Sequence, residues 1–340
     1  MRTNDKEKQV LVEIRNLTVS YQTRLGPLSA VDHVSFDIFK GEILGLVGES
    51  GCGKSTMGKA LMRMLPDSTD ISGKVIFDGE DVLQYDYEQL RDFRGRRISM
   101  IFQDPMTSLN PVQRIGAHLV EAIQVHETET KQESAMERIR TLIERLGIQS
   151  KRVEDYPHQL SGGMRQRVMI GLGLVLNPHL IIADEATTSL DVIVEAKLLD
   201  QMREIRDEFG VSILAITHNI ALVAELCDRI AVMYAGRMAE IGSVYDVFDD
   251  PLHPYTKGLL ASVPSIKLDD KEKLFKMPGE PPNLTHPPTG CRFHPRCPQA
   301  MPICSRIEPD FKEVRPGRLV NCWLFQDHPE KVTSAMKADS

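Results

Sequence analysis

The sequence has 340 residues, of which 41% are hydrophobic and 26% charged, and its net charge is −7. These proportions are typical of a soluble globular protein, and the length predicts one large α/β domain with a smaller addition. The acidic balance argues against a nucleic-acid-binding surface, which is normally basic. We find neither an apolar run near the roughly 18 residues that span a bilayer nor the apolar segment of a signal peptide. We therefore expect the chain to stay in the cytoplasm and to reach any membrane through partners.

The first part of the chain is predicted to consist mostly of strands. Alternating apolar residues indicate strands over 10–19 and 31–39, and an apolar run over 43–47 indicates a buried strand. A helix is expected over about 54–65, and an edge strand with a turn over 72–79. A short apolar strand follows at 98–102.

The pattern becomes helical between 105 and 175, where apolar residues recur at spacings of three and four. Two apolar strands at 180–183 and 211–216, separated by a helix over 192–209, have the composition of a buried parallel sheet. From Pro251 onward, frequent prolines predict a loop-rich tail with little apolar core and without long helices or regular sheet.

A glycine-rich motif lies between the strand at 43–47 and the helix that follows it. Residues 48–55 fit the pattern G-x-x-x-x-G-K-S/T, in which glycines let the backbone wrap phosphates. Lys54 would reach the β- and γ-phosphates, and Ser55 would bind Mg²⁺. The predicted ATP-binding residues here are Gly48, Glu49, Ser50, Gly51, Cys52, Gly53, Lys54, Ser55 and Thr56.

Two acidic residues end the apolar strand at 180–183. Asp184, at the end of the strand, suits a ligand of Mg²⁺. Glu185 would then polarise the water that attacks the γ-phosphate.

A second glycine pair occurs in the segment Leu160–Arg167. Ser161, Gly162 and Gly163 place a hydroxyl group and accessible backbone N–H groups at the start of a predicted helix, which favours an anion site. Because the chain already has one phosphate site, we interpret the second as half of a site that two chains share.

The order of these motifs resembles that of ATP-binding cassette (ABC) proteins over residues 10–250. The resemblance implies that Ser161, Gly162, Gly163 and Gln166 contact the ATP of a partner. One departure is Ala186, where the family usually has proline. The resemblance further assigns Gln103 to the Q-loop, with roles in catalysis and Mg²⁺ binding, Asp191 to the D-loop, Tyr21 to adenine stacking, and His218 to the γ-phosphate or the attacking water.

This resemblance implies an α/β fold with an ABC-type P-loop NTPase core, an antiparallel β edge, a helical signature subdomain and a loop-rich, Cys-containing C-terminal extension. Four segments follow from it. They are the first part of the nucleotide-binding core (1–102), the helical subdomain with the signature motif (103–175), the second part of the core (176–250) and the Pro/Cys-rich extension (251–340).

Two regions resemble the ATPases of oligopeptide and dipeptide permeases, in particular the D-type subunit: Gln103–Pro111, and His253–Leu260 with the later Pro278–Asn283. This implies a peripheral ATP-hydrolysing subunit on the cytoplasmic face of the cell membrane. Its partners would be two integral membrane permeases, a homologous second ATPase in a heterodimer and an extracytoplasmic peptide-binding protein, without nucleic acid. A nickel importer of the same branch, a soluble ABC ATPase without a transport role and a sensor with a redox-active tail are the alternatives.

Four of the six cysteines lie in the tail, at Cys291, Cys297, Cys304 and Cys322, and we expect none to form a disulfide. Four thiols suit a structural Zn²⁺ or a 4Fe–4S cluster. The spacing lacks the paired C-x-x-C of zinc ribbons, which favours the cluster, with zinc and free thiols as alternatives. The neighbouring Arg292 and Arg296 would partly offset a cluster's charge or be solvated on the surface, and Cys52 and Cys227 receive no metal role.

Overall fold

The structure is a computed structural model that describes residues 9–102, 109–185, 192–262 and 277–326. These residues form two compact units, each built from separate stretches of the chain. The first unit contains Lys40–Glu42 and Gln84–Ala215. The second contains Gln9–Phe39, Ile43–Leu83 and the described residues from Ile216 onward.

Twelve strands lie within the described residues. They are β1 (Val10–Thr23), β2 (Gly26–Phe39), β3 (Ile43–Val47), β4 (Thr69–Phe77), β5 (Glu80–Asp81), β6 (Ile98–Ile101), β7 (Leu180–Asp184), β8 (Ser212–Thr217), β9 (Arg229–Tyr234), β10 (Arg237–Ser243), β11 (Phe311–Arg315) and β12 (Arg318–Asn321).

The described part of the chain also contains nine α-helices. They are α1 (Lys54–Leu61), α2 (Tyr87–Arg96), α3 (Ile115–His126), α4 (Gln132–Arg145), α5 (Gly162–Leu174), α6 (Val192–Phe209), α7 (Ile220–Leu226), α8 (Val244–Asp249) and α9 (Pro254–Ala261). None of them is long and apolar enough to cross a membrane.

The second unit contains the antiparallel sheet that the sequence predicts. Its strand order is β2-β1-β4-β5, and each neighbouring pair is antiparallel. β4 was expected at the edge over 72–79, but it pairs with both β1 and β5. The sequence did not reveal this because β5 has only two residues, which is too short for an alternating pattern.

A second sheet of this unit runs in the order β11-β12-β10-β9-β3. All five residues of β3 are buried, and β3 is parallel to β9, whereas β10 and β12 are antiparallel to their neighbours. The tail was predicted to lack regular sheet, and β11 and β12 show that this prediction was wrong. The prolines fall outside the two short strands, and Pro316 and Gly317, with φ 72° at Gly317, make the turn between them.

The C-terminal extension packs aromatic residues into an apolar cluster that is built mostly by residues of the second unit that precede the extension. Tyr255 is fully buried and Phe293 is 3% exposed, and they belong to one cluster with Val47, Val232 and Tyr234. The ring centroids of Tyr255 lie 4.5 Å from Tyr234 and 5.4 Å from Phe293. Burying an aromatic side chain stabilises a fold by about 2–3 kcal/mol. A few aromatic residues therefore fix a proline-rich segment that has little secondary structure.

The first unit contains β6, β7 and residues Ser212–Ala215 of β8, in the order β8-β7-β6, and most of the helices. β7 is buried along its whole length, and β6 is parallel to β7. The helical pattern predicted between 105 and 175 is confirmed by α3, α4 and α5. The buried face of α4 carries Ala135, Ile139, Leu142 and Ile143, the spacing of an amphipathic helix.

Candidate nucleotide site

The glycine-rich segment of residues 48–53, called here the phosphate loop, connects the buried β3 to α1. Gly51 and Gly53 have φ of 79° and 107°, a region that side chains disfavour. A Cβ at Gly48 would lie 2.1 Å from the carbonyl oxygen of Met233, and one at Gly53 would lie 2.1 Å from that of Ala30. The backbone therefore needs glycine at these positions even before any ligand is considered.

Lys54 begins α1 and is only 4% exposed. Its ammonium group donates to the carbonyl oxygens of Gly48 at 2.8 Å and Glu49 at 3.1 Å. The cation is thus held within the loop, beside the positive end of the helix dipole. This combination attracts phosphate groups.

Tyr21 lies beside the same helix. Its hydroxyl group is 3.2 Å from the hydroxyl group of Thr56, which directly follows Ser55. The tyrosine predicted to stack on adenine is therefore placed near the predicted phosphate-binding residues within the second unit.

Glu49 of the phosphate loop is bound by residues of the C-terminal extension. Its carboxylate accepts two hydrogen bonds from Arg296, at 2.7 and 3.0 Å, and its backbone N–H donates to the phenol oxygen of Tyr255 at 2.9 Å. Burial of Arg296 is nearly complete, with 7% exposed. The hydrogen bond to Glu49 and that to Tyr234 raise the pKa of Arg296 despite its burial. The expectation of a solvated Arg296 was therefore wrong.

Arg292 supports the other side of the loop. This arginine, also 7% exposed, pairs with Asp32 and donates to the carbonyl oxygen of Ala235. The next residue, Gly236, donates its N–H to the carbonyl oxygen of Cys52 at 2.9 Å. Burial disfavours the charge of Asp32, but His33, Arg237 and Arg292 outweigh it and hold the pKa of the carboxyl below its ordinary value. Arg292 is therefore structural, and its predicted solvated position was also wrong.

The two acidic residues of the first unit lie at the end of β7. Asp184 is 8% exposed, and Glu185 is partly exposed. Glu185 has φ of 48°, which is uncommon for a residue other than glycine. Such strained backbone is concentrated at functional sites, where surrounding structure maintains it.

The glycine pair of the signature segment begins α5. Ser161 is the N-cap residue, and its hydroxyl group accepts the N–H of Met164 at 3.3 Å. Gly162 and Gly163 are exposed, neither has positive φ, and a Cβ at either would meet nothing within 4 Å. Unlike Gly48, these glycines are not required by any steric contact with the part of the chain that the structure describes.

The family resemblance places Gln166 with these residues as a contact to the ATP of a partner. Its position differs, because it is only 6% exposed on the buried side of α5. Three of the four predicted signature residues thus lie on the surface, and the fourth contributes to the packing of its own unit. One turn of helix separates Gln166 from Gly162, so sequence spacing alone did not distinguish their surroundings.

His218 directly follows β8 and is exposed. The next residue, Asn219, caps α7 by accepting the N–H of Ala221 at 3.1 Å. The cap fixes the start of the helix directly after His218. Gln103 and Asp191, which were predicted as Q-loop and D-loop residues, lie outside the described residues.

Comparison with protein families matches residues 31–188 to the ABC transporter family and residues 239–304 to the C-terminal region of oligopeptide/dipeptide transporters. The dipeptide transport ATP-binding protein DppD of Bacillus subtilis is 44% identical over 94% of this chain and 96% of its own length. The oligopeptide transport ATP-binding protein OppD of Escherichia coli is 44% identical over 94% of each chain.

The chain belongs to the ABC transporter ATP-binding proteins. It is accordingly an ABC-type ATPase. Among solved structures, cbiO1 from Clostridium perfringens, part of the ABC transporter complex cbiONQ, has a TM-score of 0.62 and 26% identity, covering 72% of this chain and 92% of its own. The cassette MJ0796, in a dimeric structure bound to ADP and Pi, has a TM-score of 0.60 and 25% identity. The match covers 69% of this chain and 99% of the MJ0796 chain. The predicted ABC-type α/β fold, with antiparallel and parallel sheets, is thereby confirmed, whereas the Cys-containing extension stays a prediction.

The four tail cysteines of this ABC protein are partly or fully buried. Burial raises the pKa of the thiols of Cys291 and Cys322, to about 12 and about 11, with smaller upward effects from neighbouring cysteine thiols. Cys291 also donates its N–H to the carbonyl oxygen of Cys304 at 2.8 Å. Within the described ranges, no three His, Cys, Asp or Glu residues are placed to hold a metal ion. The thiols share one region without forming a ready ligand group.

Proposed function

We propose that this ABC protein is the ATP-hydrolysing subunit of an importer of oligopeptides or dipeptides. The observation that carries the proposal is the match of nearly the whole chain to peptide transport ATP-binding proteins, joined to their specific C-terminal region. The extension is packed against the phosphate loop, so it belongs to the ATPase and is not an attached linker. A nickel importer of the same branch is the second candidate from the sequence, and no structural observation favours it.

ATP binding is assigned to the phosphate loop and its neighbours. Lys54 binds the β- and γ-phosphates, and Tyr21 stacks on the adenine. Ser55, Asp184 and Gln103 supply oxygen ligands of the kind that Mg²⁺ prefers. Bound Mg²⁺ neutralises negative charge that develops on the phosphate oxygens.

Hydrolysis is assigned to Glu185, with His218 and Gln103 as its helpers. Glu185 accepts a proton from the attacking water, and its left-handed backbone conformation supports a functional role. His218 contacts the γ-phosphate or the attacking water. The fixed groups around the phosphate act by electrostatic preorganisation.

A second ATPase subunit completes each nucleotide site. Ser161, Gly162 and Gly163 contact the ATP bound by the partner, and Asp191 lies in the D-loop of the same interface. Their exposure, and the open space around both glycines, support this assignment. The dimeric form of the related cassette bound to ADP and Pi supports it as well. We favour a heterodimer because the sequence resembles the D-type subunit.

The remaining partners follow from the transporter. Two integral membrane permeases hold the ATPase at the cytoplasmic face of the membrane, and an extracytoplasmic protein delivers the peptide. The four tail cysteines would hold a 4Fe–4S cluster, with zinc as the alternative. Such a group would stabilise the loops of the extension as a cross-link does.

Peptide uptake by the assembled transporter tests the proposal. Lys54→Ala should abolish uptake and ATP binding, whereas Glu185→Gln should bind ATP, accumulate the closed dimer and lower kcat by about 10²–10⁴-fold. The matched control is Glu204→Gln. This substitution neutralises an exposed carboxylate of α6 that is not a predicted site residue, so it should leave uptake unchanged. Nickel uptake without peptide uptake would favour the second candidate. Hydrolysis by Glu185→Gln at the wild-type rate would contradict the assignment of the base.

A further inference from the structure

We propose that Arg296 and Tyr255 of the C-terminal extension are positioning residues for the nucleotide site, acting through Glu49 of the phosphate loop. The proposal rests on the assignment of this loop to ATP. It adds a function for the extension: to fix the loop in the conformation that receives phosphate. Both residues contact Glu49, and both act through it.

Arg296 holds the side chain of Glu49 with a pair of hydrogen bonds. Two of its nitrogen atoms donate separately to the two carboxylate oxygens, at 2.7 and 3.0 Å. The guanidinium is itself fixed, because its Nε donates to the carbonyl oxygen of Pro278 at 2.9 Å and Nη1 donates to the hydroxyl group of Tyr234 at 3.2 Å. Paired, charge-assisted hydrogen bonds are among the strongest in proteins and allow little movement.

Tyr255 holds the backbone of the same residue. Its phenol oxygen accepts the N–H of Glu49 at 2.9 Å, and its ring is fully buried between Tyr234 and Phe293. Because the ring is closely packed, the phenol oxygen has one position. The loop is therefore aligned by a group of the extension that is buried in an apolar cluster of the second unit.

Glu49 connects this contact to the phosphate-binding lysine. The carbonyl oxygen of Glu49 accepts hydrogen bonds from the Lys54 ammonium at 3.1 Å and from the N–H of Cys52 at 3.2 Å. The N–H, carboxylate and carbonyl groups of one residue are thus all bound. A shift of Glu49 would displace the hydrogen-bonding partner of Lys54 and the N–H groups of the loop. A loop that must be reordered on binding has lower affinity than one already in place.

Both contacts depend on the folded extension. Arg296 ends a short 3-10 turn, His294–Arg296, and Tyr255 lies in the first turn of α9. The chain separations from Glu49 are 247 residues for Arg296 and 206 for Tyr255. Loosening the extension should consequently weaken nucleotide binding at this chain's own site.

The test measures equilibrium binding of a fluorescent ATP analogue with Mg²⁺ to the full chain, and KM and kcat for ATP in the assembled transporter. Arg296→Gln should raise the Kd about 10-fold, and Tyr255→Phe, which keeps the ring, about 3-fold. KM should rise in parallel while kcat at saturating ATP changes less than about 2-fold. Arg315→Gln is the matched control, because this arginine of the extension pairs with Asp250 on the surface and should leave Kd unchanged.

A double-substitution cycle distinguishes positioning from general loss of structure. If Arg296 acts through Glu49, then Glu49→Gln combined with Arg296→Gln should raise the Kd about as much as either change alone, well short of the product. The proposal would be overturned if the double variant raised the Kd by the product of the two single effects. It would also be overturned if both Tyr255→Phe and a folded Arg296→Gln bound the analogue with the wild-type Kd. If Arg296→Gln does not fold, Tyr255→Phe decides alone. Failure of the wild-type chain to bind ATP would instead overturn the proposed function.

Discussion

Gly163 offers a direct test of the shared nucleotide site. Among the described residues, no atom lies within 4 Å of a Cβ added at Gly163, and the residue lies in the first turn of α5 without positive φ. Gly163→Ala should therefore cause no steric conflict within the chain. Alanine is favoured over glycine in helices by up to about 1 kcal/mol, so the thermal midpoint should rise by between zero and about 4 °C.

ATP hydrolysis by the assembled transporter should fall in Gly163→Ala, although the stability of the chain should rise. The added methyl group would occupy the surface that we assign to the partner's ATP, and it would prevent close approach of the backbone N–H groups. Loss of one such preorganised donor commonly lowers turnover by about 10²–10³-fold. ATP hydrolysis by the assembled transporter should fall by about 10²-fold, while binding of ATP to this chain's own phosphate loop stays within about 2-fold.

Gly48→Ala is the matched contrast for the same kind of substitution. Its Cβ would lie 2.1 Å from the Met233 carbonyl oxygen, so the loop must distort and ATP binding by the chain itself should be lost. Calorimetry, a nucleotide titration and steady-state hydrolysis distinguish the two variants. Wild-type hydrolysis by the transporter containing Gly163→Ala would refute the reasoning that this exposed glycine serves a partner.

Three further predictions concern the extension. Burial favours the neutral form of His253 and lowers its pKa to about 4. Between pH 6.5 and 4, the unfolded chain therefore binds a proton at this histidine that the folded chain does not bind. Urea unfolding should therefore show a loss of about 2 kcal/mol from pH 7.5 to 5, and His253→Asn, which keeps an acceptor for the Tyr255 N–H, should remove most of it. Arg318→Met leaves the fully buried Glu240 without its ion pair and should cost about 3–5 kcal/mol of unfolding free energy. Cys304→Ser should lower the metal content of anaerobically purified protein and its absorption at about 400 nm.

Each of these has its own control. If His253→Asn lost as much unfolding free energy as the wild type between pH 7.5 and 5, groups other than His253 would cause the acid sensitivity. Arg315→Met breaks an exposed pair with Asp250 and should cost less than about 1 kcal/mol, so an equal loss in both arginine variants would contradict the burial argument. Wild-type protein with neither iron nor zinc would refute the metal proposal, and stoichiometric zinc would decide against the cluster.

Local patterns predicted the central elements of the fold well. The strand at Ile43–Val47 and the helix Val192–Phe209 have their predicted bounds, because apolar runs and helical spacing are properties of contiguous residues. The helix from Lys54 was predicted to reach about residue 65, but it ends at Leu61. Two residues later, Arg63 adopts a positive φ of 50°, which does not continue a helix. The four segment boundaries, and the roles assigned to individual site residues, stay predictions.

The tail was predicted least well, for an identifiable reason. Prolines and scattered arginines gave the pattern of a solvated loop. The structure instead buries Arg292 and Arg296 against carboxylates that lie 260 and 247 residues earlier in the chain. Periodicity and motif spacing are sensitive only to neighbouring residues, so they contain no information about such pairs.

By itself, the sequence determined that this chain has a phosphate loop between a buried strand and a helix, and a second glycine pair elsewhere. Glycine, lysine and the flanking apolar residues are chemically required there, and their order along the chain is sufficient to identify them. Only the tertiary structure decided that Glu49 of this loop is held by the C-terminal extension, and that Gly163 is open while Gln166 is buried. These properties depend on which distant surfaces pack together, and packing is decided by the whole fold.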